Sequence, residues 1–169
     1  MRLFVAAWPP VQVVDILYNL PHPERKGVRW TQREYLHATL VFLGETSAVE
    51  EAWEVLSALD LDGVAPVTAS IGPTTALLGG NVLQVPVQGL DRLAKVLISA
   101  PWPSLASDTE RIFHAHITLA RSRERHTISS LAGIPVHASW QLSELYLVAS
   151  ELQPHGPKYN KLYARHLPQ

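Results

Sequence analysis

Leu36-His37-Ala38-Thr39-Leu40-Val41-Phe42-Leu43-Gly44 reads as a β-strand stopped by glycine. A near copy stands later in the chain, Phe113-His114-Ala115-His116-Ile117-Thr118-Leu119-Ala120-Arg121. The shared core is His-x-Thr-Leu, and each copy falls inside a run rich in the apolar and β-branched residues of strands. One such tetrapeptide would be a weak signal; two in matching strand contexts are a strong one. Successive strand side chains point to opposite faces, so His37 and Thr39 share a face, as do His116 and Thr118. Ala38, Leu40, Phe42, Ile117 and Leu119 are then assigned to the opposite, core-facing side. Strict alternation also turns Arg121 away from the histidine face unless the strand ends or twists first.

Outward from these two strands, the chain reads as a mixture of single strands, hairpins and few helices. Residues 2–8 form a first strand, and Pro9-Pro10 opens a helix over 10–20. Residues 21–34, with Pro21, Pro23 and Gly27, read as a loop. Ser47 and Glu50 have the spacing of a capping box ahead of a helix with Val49, Ala52, Trp53, Leu56 and Leu59 on one face. Strands follow at 66–72 and 82–88, the second after a Gly79-Gly80-Asn81 turn. A helix over 89–99 presents Leu90, Leu93 and Leu97. The second motif strand spans 112–120. Strands near 135–140 and 143–151, then a turn at Pro154 and a short final strand, complete the chain. This grammar is α+β, with antiparallel sheets and helices packed outside. No linker or low-complexity stretch divides it, so residues 1–169 are expected to form one domain.

Composition narrows the partners. Of 169 residues, 47% are hydrophobic and 17% charged, enough to bury a core and too few charges for a disordered chain. The chain has no cysteine, which removes disulfides, thiolate catalysis and cysteine-bound zinc. Net charge is −1 with histidine neutral. A protein gripping long nucleic acid by its phosphates usually carries a basic excess, so a small ligand or a polynucleotide end fits better. The N-terminal apolar run is short and ends at Pro9-Pro10, unlike a signal peptide. A soluble, cytoplasmic monomer without membrane attachment is the expectation.

Two His-x-Thr strands related by an approximate twofold suit chemistry at phosphorus. In-line displacement needs one group to take a proton from the attacking water and another to give one to the leaving oxygen. Histidine titrates near neutral pH and can do either. Threonine hydroxyls can hydrogen-bond the equatorial oxygens, where charge accumulates.

The paired motifs, the early Leu3-Phe4-Val5-Ala6 strand, Arg29-Trp30, and the late stretch 145–152 with Gly156 and Tyr159 give the chain its family likeness. It resembles the two-histidine phosphoesterase superfamily, and within it the RNA 2′,3′-cyclic phosphodiesterases, formerly called 2′-5′ RNA ligases. The chain departs from the family pattern at Ala115, where proline usually precedes the second histidine, and at Thr31-Gln32-Arg33-Glu34-Tyr35, which replaces a proline-rich approach. The resemblance implies a bilobal α+β fold, with two antiparallel sheets around a central cleft and internal pseudo-twofold symmetry. It implies hydrolysis of a terminal 2′,3′-cyclic phosphate to a 2′-phosphate without metal or other cofactor, and weak 2′-5′ ligation as the reverse reaction. It assigns His37 as proton donor and His116 as proton acceptor, roles that the spacing leaves open. It assigns Thr39, Thr118 and Arg121 to the phosphate, and RNA ends bearing a cyclic phosphate as partner.

Other readings compete. His114-Ala115-His116 could begin a zinc site, but no third ligand is placed nearby. The run 121–126 has the look of a solvated mixed-charge loop. Trp30 is the better candidate for base stacking, Trp53 for core, Lys158 and Lys161 for surface, and Arg29 and Arg33 could line a cleft. The segment from Gly72 to Gly80 lacks the Lys-Ser/Thr of a phosphate loop. A sibling phosphoesterase of small cyclic nucleotides and a non-catalytic RNA-end binding module are the alternative functions.

Overall fold

The structure is a computed structural model that describes residues 1–105 and 113–169. Its strands are β1 (Arg2–Ala7), β2 (Val28–Trp30), β3 (Ala38–Glu45), β4 (Val67–Ile71), β5 (Ala76–Leu78), β6 (Val82–Gln88), β7 (His116–Ser122), β8 (Ala138–Leu142), β9 (Glu144–Gln153) and β10 (Gly156–His166). The helices are α1 (Val11–Tyr18), α2 (Val49–Ala58) and α3 (Asp91–Ile98). The fold is α+β, and its strand pairings among the described residues are antiparallel.

The strands follow one path, β10-β9-β1-β3-β7-β6-β4-β8, with β2 beside β7 and β5 beside β6. The path falls into two four-stranded halves that meet at β3 and β7. Only one residue pair, Ala38 with Ile117, joins β3 to β7. The order is nearly palindromic about that seam. In the first half β1 leads through α1 to β3, and in the second β6 leads through α3 to β7. Each inner strand carries one of the two motifs. The helices cross over: α1 packs against β8 and α3 against β3. Their apolar faces, Val13, Val14 and Leu17 on α1 and Leu93, Ala94 and Leu97 on α3, join one buried cluster with Leu3, Val5, Leu40, Val85 and Ile117. Ile117, fully buried at the seam, is packed from both halves, so Ile117→Val is expected to cost about 1 kcal/mol. Urea denaturation at neutral pH measures it.

Several local expectations are corrected. The final strand is not short: β10 has 11 residues and pairs along β9. The stretch 21–34 contains strand β2, and β5 was also unforeseen, each being only three residues long. The Ser47/Glu50 capping box does not form. Ala48 occupies the cap position of α2, and its N–H donates to the Thr46 hydroxyl at 3.1 Å. Glu50 instead accepts from the Tyr163 hydroxyl at 2.9 Å. The second motif strand begins at His116, and Ile112, assigned to it above, lies outside the described residues.

Candidate active site

The seam register places the two motifs face to face. Pairing Ala38 with Ile117 sets residue 37 alongside 118 and residue 39 alongside 116. Ala38 and Ile117 are buried in the core, so their neighbours His37, Thr39, His116 and Thr118 rise together on the other face, where each is partly exposed. The sequence-derived quartet thus converges across the seam.

Both imidazoles are held the same way. His37 Nδ1 lies 2.7 Å from the carbonyl oxygen of Tyr35, and His116 Nδ1 lies 2.9 Å from that of His114. A carbonyl only accepts, so each Nδ1 carries the hydrogen and donates it. Each Nε2 is then left to exchange a proton with a ligand.

A matched irregularity follows each threonine. Along β1, Ala6 pairs with Thr39 and Val5 with Val41, so Leu40 is an extra residue. Along β6, Gln84 pairs with Thr118 and Leu83 with Ala120, so Leu119 is an extra residue. Such a β-bulge resets the alternation of faces. Leu40 and Val41 are both buried, as are Leu119 and Ala120. The fifth residue after each histidine therefore returns to the histidine face. In β7 this residue is Arg121, which the bulge brings onto the histidine face. In β3 it is Phe42, which strict alternation assigned to the core but which is 59% exposed.

The two histidines differ in their surroundings. The His37 ring stacks between Phe4 (centroids 5.3 Å, 28° between planes) and Trp8 (4.7 Å, 25°), and Tyr159 lies nearly perpendicular to it (4.9 Å, 78°). Phe4, Ala6 and Trp8 share one face of β1, and the small Ala6 between the two rings leaves room for the imidazole. Burial among these rings lowers the His37 pKa to about 4. The Tyr35 carbonyl opposes that shift, while electrostatic repulsion from His116, Lys161 and Arg121 adds to it. Behind Trp8, the Lys161 ammonium lies 4.2 Å from the Trp8 ring and 4.2 Å from Tyr146. Lys161 is exposed, as read from the sequence, yet partial burial still lowers its pKa, with Glu144 pulling the other way. Burial and its hydrogen bond to Glu144 push Tyr146 up to about 12.

A comparison against protein-family models gives no match. An RNA 2′,3′-cyclic phosphodiesterase from Escherichia coli K12 is 30% identical over 168 residues, spanning 95% of this chain and 93% of that protein. The chain belongs to the RNA 2′,3′-cyclic phosphodiesterase family of two-histidine phosphoesterases. Solved structures agree. E. coli LigT complexed with 3′-AMP superposes with a TM-score of 0.75 at 28% identity, over 99% of this chain and 98% of that one. TT0787 of Thermus thermophilus gives 0.73 at 26% identity, with the same coverage of each chain. Membership in this family of phosphodiesterases makes the protein a hydrolase of phosphate esters.

Sequence reading missed several residues around the two histidines. Trp8 and Phe4 were legible only as strand residues; their alternation at 4, 6 and 8 was the available signal. Gln84 faces Thr118 across the β6–β7 ladder, and its side-chain oxygen is buried without a hydrogen-bond partner. Trp30 is corrected in the other direction. Its indole N–H donates to the Pro23 carbonyl at 3.2 Å and its half-buried ring packs on the main core, away from the histidine face. His114 offers its carbonyl to His116. Among the described residues no three His, Asp or Glu side chains converge as a metal-binding group, and no helix is long and apolar enough to cross a membrane.

Proposed function

We propose that this protein hydrolyses the 2′,3′-cyclic phosphate at the end of an RNA chain to a 2′-phosphate, without a metal ion. The observation that carries this reading is the convergence of His37, Thr39, His116 and Thr118 on one face of the seam, each imidazole tethered through Nδ1. Water attacks phosphorus as His116 Nε2 takes its proton. The bond from phosphorus to the 3′ oxygen breaks, and His37 Nε2 gives that oxygen a proton. Thr39 and Thr118 donate to the equatorial oxygens, and Arg121, returned to this face by its bulge, adds a guanidinium to the developing charge. The 30% identical E. coli relative, an RNA 2′,3′-cyclic phosphodiesterase, supports the choice of reaction.

His37 is neutral in the free protein at pH 7, since its pKa is about 4. As donor it must be loaded with a proton when substrate binds. The anionic cyclic phosphate supplies the charge that favours this, and an imidazolium in an aromatic slot is a strong acid once loaded.

Phe42 occupies the position that Arg121 holds in the other half, exposed and next to Phe4 at 5.9 Å. In this reading it is the platform for the terminal base. Phe42→Ala is expected to weaken kcat/KM about tenfold, as loss of one base–aromatic stack does. Steady-state kinetics on a cyclic-phosphate dinucleotide measures it.

The catalytic unit is read as one two-lobed domain over residues 1–169, acting as a cytoplasmic monomer in RNA processing, with 2′-5′ ligation as a weak reverse reaction. The deciding experiment incubates the protein in excess EDTA with a short RNA ending in a 2′,3′-cyclic phosphate. A 2′-phosphate product supports the reading. Turnover of cyclic mononucleotides alone would make it a small-nucleotide phosphoesterase, and binding without turnover an RNA-end binding module.

A further inference from the structure

Beside Arg121 stands a second guanidinium that the reaction above does not use. On β2, Arg29 is the direct cross-strand partner of Arg121 on β7. Directly paired residues project on the same side of a sheet, so both arginines stand on the cleft face. Trp30, one residue on, turns to the core. Like charges directly opposite each other on a sheet are unfavourable. Among the described residues, no carboxylate lies within ion-pair distance of either guanidinium.

The fold nevertheless keeps the Arg29 head group in place. It lies flat on Gly156 at the start of β10: a Cβ built there would come within 3.0 Å of Nη1 and 3.2 Å of Cζ. Gly156 has φ +124°, so glycine is favoured there on backbone grounds as well. Tyr159, whose ring lies against His37, feels both guanidiniums: burial raises its pKa, and Arg121 and then Arg29 oppose the rise. Arg29 is thus held against Gly156 at the start of β10, and its charge, like that of Arg121, acts on Tyr159, the ring beside His37. Two guanidiniums on neighbouring strands, without a carboxylate partner among the described residues, suit two phosphates of one chain.

We propose that Arg29 binds the phosphate on the 5′ side of the terminal nucleotide, making it the residue by which this enzyme prefers the end of an RNA chain over a cyclic mononucleotide. This subsite rests on the function proposed above. Arg29 is a specificity residue in it, and Arg121 stays with the reacting phosphate.

The test uses two stable ligands of the full chain, adenosine 3′-monophosphate and adenosine 3′,5′-bisphosphate, which differ only in the 5′-phosphate. Isothermal titration should show wild type binding the bisphosphate about tenfold more tightly, as for a charge-assisted contact. In Arg29→Ala the ratio should fall to near one with the 3′-monophosphate affinity unchanged, and Arg29→Lys should restore part of it. A wild type that does not distinguish the two ligands overturns the subsite. So does an Arg29→Ala variant that loses both affinities equally, since Arg29 would then serve the reacting phosphate. Far-UV circular dichroism checks that the variants fold. Failure of cyclic-phosphate hydrolysis would strike the proposed reaction, while the affinity ratio still decides the subsite.

Discussion

His116→Ala is expected to lower kcat on an RNA ending in a 2′,3′-cyclic phosphate by about 10²–10⁴-fold, the usual contribution of one positioned acid or base. His37→Ala should lose a similar factor. The double variant should fall well short of the product of the two, because the groups act on one transition state and what remains comes from threonine and arginine contacts. Removing His37 also empties the slot between Phe4 and Trp8, so His37→Asn is the better control for folding. The loss should appear in kcat more than in KM, since Nε2 is asked to stabilise the transition state rather than to hold the substrate. Single-turnover assays with both variants in EDTA measure it. A variant that keeps more than a tenth of wild-type activity would remove that histidine from the mechanism.

The second expectation concerns stability in acid. The folded pKa of His37 is about 4 against an ordinary value of 6.5. Between those values the unfolded chain binds a proton that the folded protein does not. Unfolding is therefore favoured as pH falls. The stabilising contribution is fully present above pH 6.5 and is lost progressively as pH drops toward 4. The full shift corresponds to about 3 kcal/mol, and the solvent-open edge of the ring reduces this toward about 2 kcal/mol. Urea denaturation at pH 7 and pH 4.5 should show this loss in wild type, and His37→Asn should lose less stability over the same interval. Saturating inorganic phosphate should act oppositely on the site. An anion at Nε2 favours the imidazolium, so the His37 titration followed by NMR should move up when phosphate is bound. A His37 titration unaffected by phosphate would remove it as the group that is loaded with a proton on binding.

The fold class and the motif strands were legible because their signals are local. Period-two alternation marked β3 and β7, and helical spacing marked α2 and α3. The convergence of His37, Thr39, His116 and Thr118 followed from repetition plus strand geometry. What was not legible depends on contacts between distant segments. Phe42 was assigned to the core because alternation was counted through Leu40, and only the register against β1 shows that residue as an insertion. The same count turned Arg121 away from the histidine face, so that its place at the phosphate needed the strand to end or twist, where the register against β6 shows a bulge instead. Strand β2 is too short to announce itself among prolines and glycine, so Arg29 could be named as a possible cleft residue but not placed. The slot around His37 draws Phe4 and Trp8 from the first strand and Tyr159 from the last. No sequence window holds those residues together.

The matched bulges have one more consequence. A cleft with perfect twofold symmetry would be ambidextrous: a bound chain could enter in either direction with equal affinity, and one of the two orientations would be wasted. Here the equivalent positions carry a flat apolar ring, Phe42, on one side and a cation, Arg121, on the other. A nucleotide has the same polarity, base at one end and phosphate at the other. The duplicated strand keeps the two imidazoles equivalent in mounting, while Phe42 against Arg121, together with the aromatic slot around His37, makes the two directions of entry unequal in the proposed reaction.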